Sequence, residues 1–208
     1  MAGKSESLFG PALSLFLITL VAGLLLGAVY VVTKEPIELR EQQEKEEAYQ
    51  NVCADAVSFG ETEEIISLMN GQEQIIEAAG LTKVEISECL AAFDVSGEVI
   101  GYVMTAVSHA GYGGDIEIAL GINTEGSVTG LEFLTLEETA GLGMNAQKSE
   151  FKDQYLGKSV DSFTVVKGES SSEEEIAAVS SATITSRAVT SAVNAGLAFV
   201  QALEEVSE

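Results

Sequence analysis

The sequence predicts an α+β protein, with one N-terminal transmembrane helix followed by a soluble domain that has an antiparallel sheet and flanking helices. Three observations predict it. A long uncharged apolar run opens the chain. Between residues 83 and 135, apolar stretches of strand length alternate with turn residues. A last stretch, roughly 186–205, repeats apolar residues at helical spacing. Strands followed by helices indicate segregated layers rather than an alternating parallel sheet.

The opening run holds no charged residue among the 27 positions between Glu6 and Lys34. As a helix it would be roughly 40 Å long, enough to cross a hydrocarbon core of about 30 Å. A cleaved signal peptide would have a shorter apolar region, of about 7–15 residues. The run continues through Val32, so a retained span over about 8–32 is expected, within an N-terminal segment of residues 1–34. Lys4 precedes the span, while Lys34, Arg40 and Lys45 follow it, so the positive-inside rule leaves the orientation undecided.

Residues 35–82 read as a charged linker with helices. The stretch 35–50 predicts a charged helix with Pro36 near its start, where a missing N–H does no harm. A second helical stretch, 61–79, carries Ile65, Ile66, Leu68, Met69, Ile75 and Ile76. From Lys83 the period changes to that of a meander, punctuated at Val95-Ser96-Gly97, at the glycines of 111–114 and at Asn123-Thr124-Glu125-Gly126. Residues 145–156 return to helical character, Phe163, Val165 and Val166 suggest a short strand, and the closing helix would bury Val189, Ala192, Val193, Ala195 and Phe199. Residues 83–208 form the expected cofactor domain.

Composition narrows the chemistry. There are 33 acidic and 10 basic residues, for a formal net charge of −23, and such a chain repels nucleic-acid phosphates. One histidine and two cysteines cannot build His/Cys zinc sites or a four-cysteine iron–sulfur cluster. Chemistry must therefore come from carboxylates, hydroxyls or a bound organic cofactor. Cys53 and Cys89 are compatible with a disulfide or with two buried thiols.

Three segments could carry a ligand. In His109-Ala110-Gly111-Tyr112-Gly113-Gly114-Asp115, the glycines allow either a tight turn or close approach to a flat ligand. Glu137-Glu138-Thr139-Ala140-Gly141-Leu142-Gly143 lies between a strand and a helix, where glycine N–H groups can face an electron-rich edge. Val179-Ser180-Ser181-Ala182-Thr183-Ile184-Thr185-Ser186-Arg187 holds five hydroxyls in seven residues ahead of the last helix. A cap at Thr185 or Ser186 would satisfy the first N–H groups. The same helix end, helped by Arg187, would also suit a phosphate.

Together these segments resemble the flavin-binding domain of the Rnf complex's G subunit, which is shared with the C subunit of the Na+-translocating NADH:quinone oxidoreductase. The run Ser180-Ser181-Ala182-Thr183-Ile184-Thr185-Ser186 is similar to that family's flavin attachment motif, a Ser-Gly-Ala-Thr core followed by a hydrophobic residue and Thr-Ser. Glu138-Thr139-Ala140-Gly141-Leu142-Gly143 resembles its Glu-Thr-Pro-Gly-Leu-Gly loop, and Tyr112-Gly113-Gly114-Asp115 its Gly-Tyr-Gly-Gly segment. The chain departs from the pattern at Leu136, Ala140, Ala177 and Ser181, where the family usually has His, Pro, Asp and Gly.

The resemblance implies FMN held by a covalent phosphoester to Thr183. Tyr112, Gly113, Glu138, Thr139, Gly141, Leu142, Gly143, Ser180, Ser181, Ala182, Thr185 and Arg187 would be the surrounding cofactor-binding residues, with no catalytic residue and no metal. It implies an electron-relay subunit of a membrane complex that couples electron transfer between reduced ferredoxin and NAD+ to Na+ or H+ translocation, not a complete enzyme alone. Its expected partners are the other membrane and peripheral subunits, a second flavin-bearing membrane subunit among them, and a flavin transferase during maturation. Its expected place is the cell membrane, single-pass, with the soluble domain on the extracytoplasmic side. The alternatives are the equivalent subunit of the quinone reductase or another membrane flavin reductase, and a cofactor-free, membrane-tethered assembly module.

Overall fold

A computed structural model describes residues 9–207 of the chain. The chain divides between residues 44 and 45 into two units. The first is the body of helix α1 (Phe9–Val52). Its large apolar side chains from Phe9 to Val32 are exposed, a surface that lipid solvates and water does not. Among the described residues, α1 is the helix long and apolar enough to cross a membrane. The expected charged helix at 35–50 is not separate but continues the span. Pro36 therefore sits inside the helix rather than at a start, where it removes one backbone bond, to the carbonyl four residues back.

The second unit holds the mixed domain. A five-stranded antiparallel sheet runs in chain order through β1 (Ser58–Gly60), β2 (Val84–Phe93), β3 (Val99–Ser108), β4 (Ile116–Asn123) and β5 (Val128–Leu136). The expected meander is present. Its turns are tied by side chains: Asp94 Oδ1 accepts the N–H groups of Ser96 and Glu98, and Asn123 Oδ1 those of Glu125 and Ser127. The stretch 61–79 folds as two helices, α2 (Glu63–Met69) and α3 (Gln72–Ala78), because the chain breaks at Asn70-Gly71. A 3₁₀ turn (Gly143–Gln147) leads into α4 (Ser149–Lys152). Strands β6 (Thr164–Val166) and β7 (Glu175–Ala177) pair in parallel. Helix α5 (Thr183–Ser207) closes the chain. β1 and β7, three residues each, are too short to show a period in the sequence.

Both faces of the sheet are covered, and each strand divides its side chains between them. On one face α5 lays Val189, Ala192, Val193, Ala195 and Phe199 against Met104, Ile118, Leu120 and Ile122, all buried. The other face carries smaller residues. There Ala48, Tyr49, Val52, Cys53 and Ala56 pack on Ala92, Val103 and Ala119. Val52 enters a notch at the facing pair Gly121 and Gly130, where any Cβ would collide with its backbone. Thr129 Oγ1 donates to the Val52 carbonyl at 2.5 Å. Lys45 Nζ and the Tyr49 hydroxyl both meet Glu88 Oε2 at 2.6 Å.

Both cysteines are free and buried. Cys89 belongs to the core under α5 and Cys53 to the opposite cluster. The sheet stands between them, so of the two readings left open by the sequence the structure has two buried thiols.

Candidate functional site

The three segments singled out in the sequence converge at one edge of the domain. The glycine segment 111–114 joins β3 to β4, and the loop 137–143 follows β5. Because β4 pairs with both strands, the two connections lie side by side. Gly113 is packed so closely on the Glu137 carbonyl that a Cβ could not be accommodated. Glu138 Oε1 accepts the Tyr112 N–H at 2.8 Å and clips the two loops together. Its other oxygen carries no hydrogen bond among the described residues.

Gly143 joins the third segment. A Cβ placed there would lie 2.7 Å from Glu138 Oε2, 2.8 Å from Glu138 Cβ and 2.8 Å from Thr185 Oγ1. The bare α-carbon is therefore what lets the 141–143 loop nest between Glu138 and the first turn of α5. Gly141 has φ +76°, a left-handed conformation suited to glycine. Its carbonyl accepts from Asn145 Nδ2 at 2.8 Å, a support that the sequence did not single out. Thr139 is exposed, and its carbonyl accepts the N–H groups of Leu142 at 3.1 Å and Met144 at 3.3 Å. Tyr112, Leu142 and Ile184 are exposed apolar side chains around this edge.

The hydroxyl-rich segment differs from expectation in one respect. Helix α5 begins at Thr183, so Thr185 and Ser186 are not caps but buried residues of its first turn. The chain turns into the helix earlier because Ser181 takes φ +61° and the Ala182 N–H bonds the Val179 carbonyl at 2.9 Å. Ser180 and Ser181 are exposed, Ala182 is buried, Thr183 is half-buried and Arg187 is exposed. No hydrogen bond among the described residues ties Ser180, Ser181, Thr183 or Arg187 to the other two loops. Thr185 is the predicted residue of this segment that reaches them, through its contact with the Gly143 position.

The arrangement fits the phosphate end of an FMN. The N–H groups of Thr183, Ile184 and Thr185 have no acceptor among the described residues, as the first turn of a helix requires unless something caps it. Arg187, one turn beyond Thr183, forms no ion pair among the described residues. Among the described residues the Thr183 hydroxyl makes no hydrogen bond, whereas Ser186 Oγ donates to the Ala182 carbonyl and accepts the Val179 N–H, each at 3.0 Å. Of these two hydroxyls, Thr183 is the one left open to a reagent.

The only histidine, His109, sits beside this edge with Nδ1 3.0 Å from Asp115 Oδ2 and Nε2 3.7 Å from Glu85 Oε1. It braces the entry to the glycine segment from outside.

The FMN-binding domain family matches residues 111–198, which contain all three segments. The G subunit of the Na(+)-translocating ferredoxin:NAD(+) oxidoreductase complex of Acetobacterium woodii is 34% identical over 201 residues, 95% of this chain and 93% of that one. The G subunit of the proton-translocating ferredoxin:NAD(+) oxidoreductase complex of Clostridium ljungdahlii is 30% identical over 202 residues, 97% of this chain and 93% of that one. The crystal structure of Shewanella oneidensis NqrC aligns with a TM-score of 0.47 at 20% identity, covering 56% of this chain and 60% of that one. With a full-length likeness to two such relatives and the FMN-binding domain in its C-terminal half, this chain belongs to the family of G subunits of ion-translocating ferredoxin:NAD(+) oxidoreductase complexes.

Proposed function

We propose that this protein is the electron-relay subunit of such a complex and carries FMN as a phosphoester on Thr183. The observation that carries the reading is the start of α5, where, among the described residues, the Thr183 hydroxyl is unbonded, three N–H groups are open and Arg187 is unpaired within one helical turn. Bound FMN supplies the redox chemistry; the protein's part is to hold it, orient it and set its surroundings. The phosphodiester keeps about one negative charge, which the helix terminus and the Arg187 guanidinium stabilise. A domain this acidic would otherwise repel it. Ester formation consumes an activated flavin phosphate such as FAD. The Thr183 Oγ–P bond forms, the anhydride P–O bond breaks, and AMP leaves as the hydroxyl proton is released.

An ester at one end frees the rest of the site from having to enclose the cofactor. The site residues suit that arrangement: Gly113 and Gly143 keep the surface low, Glu138 holds the two loops in register, and Tyr112, Leu142 and Ile184 offer an apolar rim. Thr139, Gly141, Ser180, Ser181, Ala182 and Thr185 complete the proposed surround. Residues 83–208 carry the cofactor, β1, α2 and α3 from the 35–82 stretch belong to the same folded unit, and 1–34 anchor it by a single span with the domain on the extracytoplasmic side. The partners are the remaining membrane and peripheral subunits, including a second flavin-bearing membrane subunit, and a flavin transferase during maturation. In this reading the complex passes electrons between reduced ferredoxin and NAD+ and moves Na+ or H+. One helix with no Asp, Glu, Lys, Arg or His within its span supplies no ion pathway of its own.

The test is an intact-mass measurement on protein from its own host beside Thr183→Ala. The expected result is a mass increase of one esterified FMN in the wild type and none in the variant. An unmodified wild type from a host that contains the flavin transferase would overturn the covalent reading.

A further inference from the structure

The buried side of the attachment segment is organised by hydrogen bonds through Tyr155, Thr190 and Ser186 that the sequence did not reveal. Tyr155 is fully buried, and its hydroxyl lies 2.7 Å from Thr190 Oγ1. Thr190 donates to the Ser186 carbonyl at 2.8 Å, so its one proton is used there and Tyr155 must be the donor to it. Ser186 Oγ in turn donates to the Ala182 carbonyl and accepts the Val179 N–H. Burial pushes the Tyr155 phenol above its ordinary range, which keeps it a donor at any physiological pH.

The last link has a specific consequence. Ser186 grips both ends of the four-residue bend Val179–Ala182, the bend that holds Ser181 at φ +61° and sets Thr183 at the head of α5. A serine in that conformation is disfavoured and persists only where its surroundings impose it. Two bonds from one buried hydroxyl join the Ala182 N–H to Val179 carbonyl bond in imposing it. The geometry points to Ser186 as a positioning residue for flavin attachment: its hydroxyl fixes the Val179–Ala182 bend so that the Thr183 hydroxyl is presented to the incoming flavin phosphate. This rests on Thr183 being the attachment site. Ser186 touches neither the flavin nor the reacting atoms; it acts through the bend.

Removing the hydroxyl leaves the Val179 N–H and one carbonyl lone pair of Ala182 without partners, while α5 keeps its apolar packing. The bend then samples other conformations, and attachment slows about tenfold or more, the scale set by one unsatisfied half-buried donor.

The experiment follows flavin incorporation into the full-length chain by intact mass over time, with a purified flavin transferase and FAD. It compares the wild type with Ser186→Ala, Ser186→Thr and Thr190→Val, each with its melting temperature. Ser186→Ala is expected to incorporate slowly. Ser186→Thr keeps the hydroxyl and is expected to restore the rate. Thr190→Val cuts the chain of hydrogen bonds one link away, lowers the melting temperature, and is expected to leave the rate near that of the wild type. If the alanine variant is insoluble, Ser186→Cys, a weaker donor and acceptor, takes its place with an intermediate rate expected. Wild-type speed in Ser186→Ala overturns the inference, and so does equal slowing by Thr190→Val, which would mean stability alone sets the rate. Absence of incorporation in the wild type overturns the attachment site itself and this inference with it. A modified wild type with a fast Ser186→Ala overturns the inference alone.

Discussion

Ser181 sits in a bend whose backbone geometry favours glycine. Its φ of +61° lies in the left-handed region, where an L side chain costs about 1–2 kcal/mol. Ser181→Gly removes that cost and returns part of it as chain entropy in the unfolded state. The expected outcome is a gain of about 0.5–1 kcal/mol in stability, read as a higher midpoint in denaturant, with Thr183 still modified. A loss of stability would contradict the bend as described. Among the hydroxyls of this segment the sequence showed only their density. Which are buried and bonded depends on where α5 begins, and Thr183 and Ser186 differ because one leads the helix and the other faces inward a turn later.

Among the elements, the last turns of α1 act as a strap across the back of the sheet. Small residues at Ala92, Ala119, Gly121 and Gly130 let the strap lie close, and Glu88 receives both Lys45 and Tyr49. Burial pushes the Glu88 carboxyl up, but the hydrogen bonds from Lys45 and Tyr49, with the ammonium charge, outweigh it and hold the carboxyl below its ordinary value. A carboxyl lowered in the folded state contributes stability above its unfolded pKa and loses it as pH falls through the folded one. Glu88→Gln is therefore expected to cost about 1 kcal/mol at pH 7, discounted for the partial exposure of the pair. The difference should shrink as pH falls below the ordinary carboxylate pKa and through the lowered folded one, where the wild-type carboxyl also takes up a proton. Denaturation curves at pH 7 and pH 3 check this. A difference that stays constant with pH would show that packing, not charge, is lost.

For the molecule as a whole, the two-faced sheet decides the state of the thiols. Cys53 and Cys89 lie on opposite faces, and burial pushes the Cys89 thiol up to about 12 and raises that of Cys53 as well. Both should appear reduced by mass. Both should resist alkylation in the native protein and react on unfolding, since the thiolate is the nucleophile. Rapid labelling of the folded protein, or a mass lower by two hydrogens, would contradict the two-cluster core.

The sequence by itself determined the long apolar helix, the meander, the last helix and the three candidate segments, because each is written in local terms: a run without charge, a period of two or 3.6, a cluster of glycines or hydroxyls. It left out β1 and β7, which are too short to carry a period, and the continuity of α1 through Pro36. It misplaced the start of α5 by three residues, since the bend at Ser181 is stabilised by Ser186 from within the helix itself. Only the tertiary structure brought Tyr112, Glu138, Gly143 and Thr185 together. Their meeting depends on strand order and on distances of a few ångströms between residues up to 73 positions apart, which no local pattern records. The same holds for the Tyr155–Thr190–Ser186 chain. Its members are ordinary buried residues until the fold brings Tyr155 onto Thr190.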